Sequence, residues 1–174
     1  NVGRGLVLVK AVQRIQESIQ KLGFKVVVFG AHPIVIDYIN DNILPYEVHD
    51  RHGLSHHDLL LLMGKSAVYL GNSISDGMPN TLLEAIIMGA FPIQSNPGNV
   101  TAEIITAGEN GFLIENPNDD NAISNLIIKV LQQPEWLQKA FEINQKIAKE
   151  RLDYVVNQQK IVALYHQIEN DTCE

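Results

Sequence analysis

Residues 67 to 95 read AVYLGNSISDGMPNTLLEAIIMGAFPIQS. Ala67 to Leu70 is a short apolar run ending at Gly71, the pattern of a strand buried on both faces. A glycine- and serine-rich loop follows, from Gly71 to Pro79. Thr81 to Met88 predicts a helix stopped by Gly89, and Phe91 to Gln94 predicts a second strand. A strand, a helix-sized segment and another strand make a parallel β-α-β unit with a right-handed crossover.

The same alternation extends outward. Leu6 to Leu22 predicts a helix, with Val9, Val12, Ile15, Ile19 and Leu22 at helical spacing and Gly23 closing it. Lys25 to Phe29 (KVVVF) predicts a buried parallel strand before Gly30, and Pro33 to Asn42 a helix with proline near its first position. Tyr46 to His49 predicts a strand. Ser55 then caps a helix running to about Gly64, with Asp58 at capping-box spacing. Downstream, Ala102 to Thr106 predicts a short helix and Phe112 to Ile114 a small strand. From Asn118 onward the pattern is helical, with breaks near Pro134 and Leu152. The expected fold class is α/β: one domain built on a doubly wound, open parallel sheet, with a helical tail.

Composition narrows the function. The chain has 174 residues, 45% of them hydrophobic and 19% charged, which fits a globular domain and excludes a disordered or fibrous chain. A formal charge of −7 leaves no broad basic face for a nucleic-acid backbone, so no nucleic-acid partner is expected. The one cysteine, Cys173, rules out an internal disulfide and points to a reducing compartment. No apolar run is long enough to span a bilayer, and no signal-peptide pattern opens the chain, so a cytoplasmic location is expected. The chain starts at Asn1-Val2-Gly3 without a methionine and runs at once into a helix pattern. A fragment of a longer protein is the expectation.

In open parallel sheets, ligands bind beyond the carboxyl ends of the strands. That edge holds Gly30-Ala31, His49-Asp50, the loop from Gly71 to Thr81, and Ser95 to Thr101. The loop and helix start combine three features. Gly77 allows close backbone approach by a ligand. The helix beginning near Thr81 offers free N–H groups and a positive dipole end, which suits a phosphate. Asp76 and Glu84 flank it, eight positions apart, one on the loop and one in the first helical turn. Carboxylates beside a phosphate site accept hydrogen bonds from sugar hydroxyls.

Plainer readings exist for the same residues. Thr81 and Glu84 have the spacing of a capping box, so Glu84 could serve only the helix start. Asp76-Gly77 is a common turn dipeptide. His49, His52, His56 and His57 lie close together, but with no cysteine and no zinc spacing they do not read as a metal site. Neither the dinucleotide glycine fingerprint nor the P-loop is present, which argues against a nicotinamide enzyme or a P-loop NTPase.

The stretch DGMPNTLLEA (Asp76 to Ala85) resembles the E-G-x-P-x-x-L-L-E-A signature of the group 1, or family 4, retaining glycosyltransferases. AIIMGAFPIQS and ENGFLIENPND are similar to that family's later motifs and come in its order. The resemblance implies the C-terminal, donor-binding half of a two-domain GT-B enzyme. The N-terminal acceptor domain and the first strand of this domain would then lie outside the chain. It implies a nucleoside diphosphate sugar as donor (UDP-, GDP- or ADP-linked), no cofactor and no metal. An acceptor glycan or lipid-linked sugar is implied as partner, and the whole enzyme could lie peripherally at the inner membrane surface.

By the same resemblance, Glu84 would hold the ribose hydroxyls and Asp76, shorter than the family's glutamate, hydroxyls of the transferred sugar. Gly77, Met78, Pro79, Asn80, Thr81 and Leu82 would cradle sugar and diphosphate through their backbone. From their position after the KVVVF strand, and not from the resemblance, Gly30 and Ala31 are candidates for a place where a nucleotide passes close to the backbone, although a glycine after a strand is usually a turn residue. Arg4 matches the family's G-R and would meet the diphosphate. Lys10 falls one place beyond the family's lysine and reads as a helix-face residue. The expected activity is retaining transfer to an acceptor hydroxyl in polysaccharide or glycoconjugate assembly, with the fragment inactive alone. The alternatives are half of a GT-B UDP-sugar 2-epimerase and a non-catalytic nucleotide-binding or interaction module.

Overall fold

The computed structural model describes residues 3–75 and 77–171. Its elements in order are α1 (Gly3–Arg14), α2 (Gln16–Lys21), β1 (Val27–Ala31), α3 (Pro33–Asp41), β2 (Glu47–Asp50), α4 (His56–Met63) and β3 (Val68–Gly71). Then come α5 (Asn80–Met88), β4 (Phe91–Ser95), β5 (Phe112–Ile114), α6 (Asp120–Leu131), α7 (Pro134–Ile147) and α8 (Tyr154–Asp171). Every strand pair is parallel. The strands form two ladders, β1–β2 and β3–β4–β5. The fold is α/β, as the alternation predicts.

Alternate strand residues feed opposite faces. Phe91 and Ile93 of β4 join Phe112, Ile114, Ile123, Ile127 and Val130 in a core closed by Val12 of α1. Tyr69 of β3 faces the other way, into a core with Met63, Leu82, Ala85, Ile86 and Ile105. So α1 and α6 cover one face, and α4 and α5 the other. A third cluster, Val9, Val35 and Ile39, seats α1 and α3 together over Val28 and Val48. Each such fully buried side chain contributes about 1.5–3 kcal/mol.

The boundaries differ from the sequence reading in instructive places. The first helix breaks at Ile15, whose φ of −112° and ψ of 15° separate α1 from α2. The apolar spacing runs unbroken across that kink, so periodicity is blind to it. Leu22 caps α2 and is exposed rather than part of the core. β1 runs through Gly30 and Ala31 instead of ending at Phe29. Gly30 adopts a φ of +62°, and the register with β2 shifts between Val28 and Ala31. The glycine bulges the strand rather than ending it. The helix expected at Ala102 to Thr106 is a pair of 3₁₀ turns, Pro97–Asn99 and Thr101–Glu103. α5 begins at Asn80, one residue early, and stops at Gly89 as expected.

The tail leaves apolar surface open. Tyr154, Leu164 and Tyr165 of α8 are more than half exposed. Arg151 ties the turn before α8 to the body by donating to the Glu103 carbonyl at 2.7 Å. No helix among the described residues is long and apolar enough to cross a membrane.

Tyr46, just before β2, donates to Gln16 Oε1 at 3.3 Å. Burial, and then the neighbouring Tyr38 phenol, push its hydroxyl from 10.0 up to about 12. The folded state therefore keeps a proton that the unfolded chain releases from about pH 10. Its stabilisation is complete below pH 10 and is lost as pH rises toward 12. Thermal unfolding measured from pH 9 to 12 is expected to show a falling melting temperature, and Tyr46→Phe is expected to flatten that decline.

Candidate functional site

Because the strands are parallel, their carboxyl ends share one edge. The loop after β3 is bound there from several sides. The Pro117 carbonyl accepts from Asn72 Nδ2 at 2.8 Å and from Arg4 Nη1 at 2.9 Å. Arg4 also donates to Asn118 Oδ1. The start of α1, the loop after β3 and the loop after β5 therefore meet at one carbonyl. Both bonds from Arg4 leave through Nη1, so its remaining N–H groups stay available as donors. Ser95 Oγ accepts from the Ser73 N–H and donates to the Ser73 carbonyl, each at 2.7 Å. Lys10, by contrast, lies over the Tyr38 ring, 5.6 Å from its centroid, on the side of α3.

Gly71 is needed for a local reason. The Gln94 amide lies against it, and a Cβ there would come within 1.8 Å of Gln94 Oε1. Gln94 is 2% exposed. Among the described residues, Gln94 Oε1, Asn72 Oδ1 and Ser73 Oγ are buried without a hydrogen-bond partner. Buried polar atoms are rarely left so, and this edge has unused hydrogen-bonding capacity.

The start of α5 is not a capping box. Its cap residue is Pro79, which supplies no side-chain bond. Thr81 Oγ1 instead hydrogen-bonds the Tyr69 hydroxyl at 2.9 Å, pinning the helix start to β3. Glu84 lies in the second turn, not the first, and its Oε1 meets His56 Nε2 at 2.9 Å. The Glu84 side chain is 25% exposed and that of His56 is 68% exposed. The capping explanation for Glu84 therefore fails. Its carboxylate faces the start of α4, where Ser55 Oγ caps the helix by accepting from the Asp58 N–H at 3.1 Å.

The remaining candidates fall as follows. Asp76 lies outside the described residues. A Cβ on Gly77 would meet open space, Met78 packs partly against the α5 core, and Asn80 is exposed. The Leu82 side chain is fully buried, so only its backbone could serve a ligand. Gly30 is exposed and Ala31 buried, both at the end of β1 on this edge. His49 bonds Glu47 Oε1 at 2.7 Å, apart from the His56–Glu84 pair. Among the described residues, no three His, Cys, Asp or Glu side chains converge as for a metal ion. Sequence reasoning passed over Tyr69 and Gln94, and it placed Asn72 and Ser95 on this edge without giving either a role. They are strand ends and loop polars whose roles exist only through cross-chain contacts.

A family model described as glycosyl transferases group 1 matches residues 6–167. A search of curated proteins gave no match. Among solved structures, the chain is similar to the pneumococcal O-GlcNAc transferase GtfA in complex with UDP and GlcNAc. The TM-score is 0.72 at 20% identity, covering 92% of this chain and 32% of that one. It is similar to the C-terminal domain of a glycosyl transferase group 1 family protein, LpcC, from Francisella tularensis. There the TM-score is 0.70 at 15% identity, covering 87% and 79%. Anabaena Alr3699/HepE in complex with UDP and glucose gives a TM-score of 0.68 at 20% identity, covering 91% and 44%. The chain thus spans about a third of the pneumococcal enzyme's length.

Proposed function

The chain belongs to the group 1 glycosyl transferases, and from that premise we propose that it is the donor-binding domain of a retaining enzyme. The whole enzyme would move a sugar from a nucleoside diphosphate sugar to an acceptor hydroxyl in polysaccharide or glycoconjugate assembly. The observation that carries this reading is the start of α5, with no side-chain cap and with Glu84 turned away from the helix start. The amides of Asn80 and Thr81 would meet the diphosphate, helped by the dipole of α5. Glu84 would accept from the ribose hydroxyls and Asp76 from the transferred sugar. Gly77 to Leu82 would line both through the backbone.

In the transfer, the bond from the anomeric carbon to the diphosphate oxygen breaks while the acceptor oxygen bonds on the same face. The acceptor proton passes to the departing diphosphate. The domain supplies position and charge stabilisation, with the helix start and the remaining Arg4 N–H groups set against the growing negative charge. The acceptor would be held by an N-terminal domain, so this domain alone would transfer nothing. The group 1 match favours transfer over epimerisation.

The test is calorimetric titration of the full-length enzyme with UDP, GDP, ADP and their sugars, followed by anomeric analysis of the product by NMR. Binding of one nucleotide series and a product with the donor's anomeric configuration are expected. No nucleotide binding, or an inverted product, would overturn the reading.

A further inference from the structure

α1 carries two arginines that reach the segment around the start of α6, and their partners differ in charge. Arg14, at the C-terminal end of α1, pairs with a carboxylate, Nε to Asp120 Oδ2 at 3.1 Å. Arg4, at the other end, meets neutral oxygens. Its Nη1 donates to the Pro117 carbonyl at 2.9 Å and to Asn118 Oδ1. Among the described residues, no carboxylate pairs with Arg4.

The carboxylates beside Asn118 are engaged elsewhere. Asp119 Oδ1 caps α6 by accepting from the Ala122 N–H at 2.9 Å, and Asp120 holds Arg14. The loop is also fixed in advance. Asn116 Oδ1 accepts from the Asn118 N–H at 3.0 Å, and the Asn116 carbonyl accepts from the Asp119 N–H at 3.1 Å. Pro117 restricts the backbone between them. Its carbonyl also accepts from Asn72 Nδ2 at 2.8 Å, on the loop that leads into α5.

We propose that Asn118 is a positioning residue for Arg4: its amide oxygen fixes the guanidinium beside the loop leading into α5 without neutralising it, so the charge stays free for the diphosphate. This inference rests on the function proposed above and deepens it. An amide oxygen and a carboxylate oxygen accept the same hydrogen bond, but only the carboxylate brings a charge. A carboxylate at position 118 would also draw a second guanidinium N–H into a bidentate pair. It would then compete with an anionic ligand for the donors that the two Nη1 bonds leave open. Anchoring the helix does not call for a neutral partner, because Arg14 of the same helix is anchored by a carboxylate.

Asn118→Asp in the full-length enzyme separates position from charge. The variant is expected to unfold no earlier than wild type. It should lose about tenfold in affinity for the nucleoside diphosphate and in kcat/KM for the donor, the worth of one charge-assisted hydrogen bond. Asn118→Ala loosens the guanidinium but leaves its charge, and should cost about threefold. That order is the signature, because a merely structural contact would survive in the aspartate variant and be lost in the alanine variant. Arg4→Ala should itself cost about tenfold, and adding Asn118→Asp to it less than about twofold more, because the two act through one group. Arg4→Ala impaired with Asn118→Asp as active as wild type would overturn this inference alone. Arg4→Ala with wild-type binding and turnover would contradict the role of Arg4 proposed above, and this inference with it.

Discussion

Replacing Glu84 by glutamine is expected to weaken binding of the nucleoside diphosphate sugar about 10- to 100-fold while moving the melting temperature by no more than about 1 °C. A carboxylate that accepts from ribose hydroxyls makes charge-assisted hydrogen bonds of about 1.5–3 kcal/mol, and glutamine loses the charge. Stability should barely respond. Glu84 caps nothing, and its partner His56 is 68% exposed, so the pair adds about 0–1 kcal/mol at most. His56→Ala removes the partner and keeps the carboxylate, so affinity should fall less than tenfold. Calorimetry and thermal unfolding of the full-length enzyme read both. A Glu84→Gln variant that unfolds early yet binds nucleotide normally would contradict the assignment.

Asn110→Leu is expected to be among the most destabilising changes, costing about 3 kcal/mol. Asn110 is buried and links three neighbours. Its Nδ2 donates to the Ile104 carbonyl and to Asn144 Oδ1, each at 2.9 Å, and its Oδ1 accepts from the Thr106 N–H at 2.7 Å. Asn144 replies by donating to the Asn110 carbonyl at 3.0 Å. Both residues are 1% exposed. Leucine leaves the Thr106 N–H, the Ile104 carbonyl and Asn144 Oδ1 without partners in a dry interior. For a domain of this size the melting temperature should drop by about 6–12 °C. A drop under about 2 °C would show that water replaces the lost bonds.

The alternation of strands and helices was legible because parallel strands buried on both faces leave short, uninterrupted apolar runs. Val68 to Gly71 and Phe91 to Ser95 lie within a residue of where those runs predict. What escaped had no one-dimensional trace. The kink at Ile15 leaves the helical spacing intact, and Gly30 looks the same whether it ends a strand or bulges it. The site divides in the same way. Glu84 and the helix start were visible as a local motif. The residue that holds Glu84 was not, because His56 lies 28 positions away and stood in the sequence among three other histidines. Thr81 has the spacing of a cap, yet its hydroxyl serves Tyr69, a contact only the packing of α5 on β3 creates. The Asn110–Asn144 pair is two polar residues in polar surroundings until the fold buries them together.

The most direct measurement is a crystal structure of the full-length enzyme with the nucleoside diphosphate sugar that binds most tightly in titration. The diphosphate is expected within hydrogen-bond distance of the Asn80 or Thr81 amide nitrogen, with the Glu84 carboxylate on the ribose hydroxyls. A donor bound away from α5, with Glu84 still held only by His56, would contradict the account.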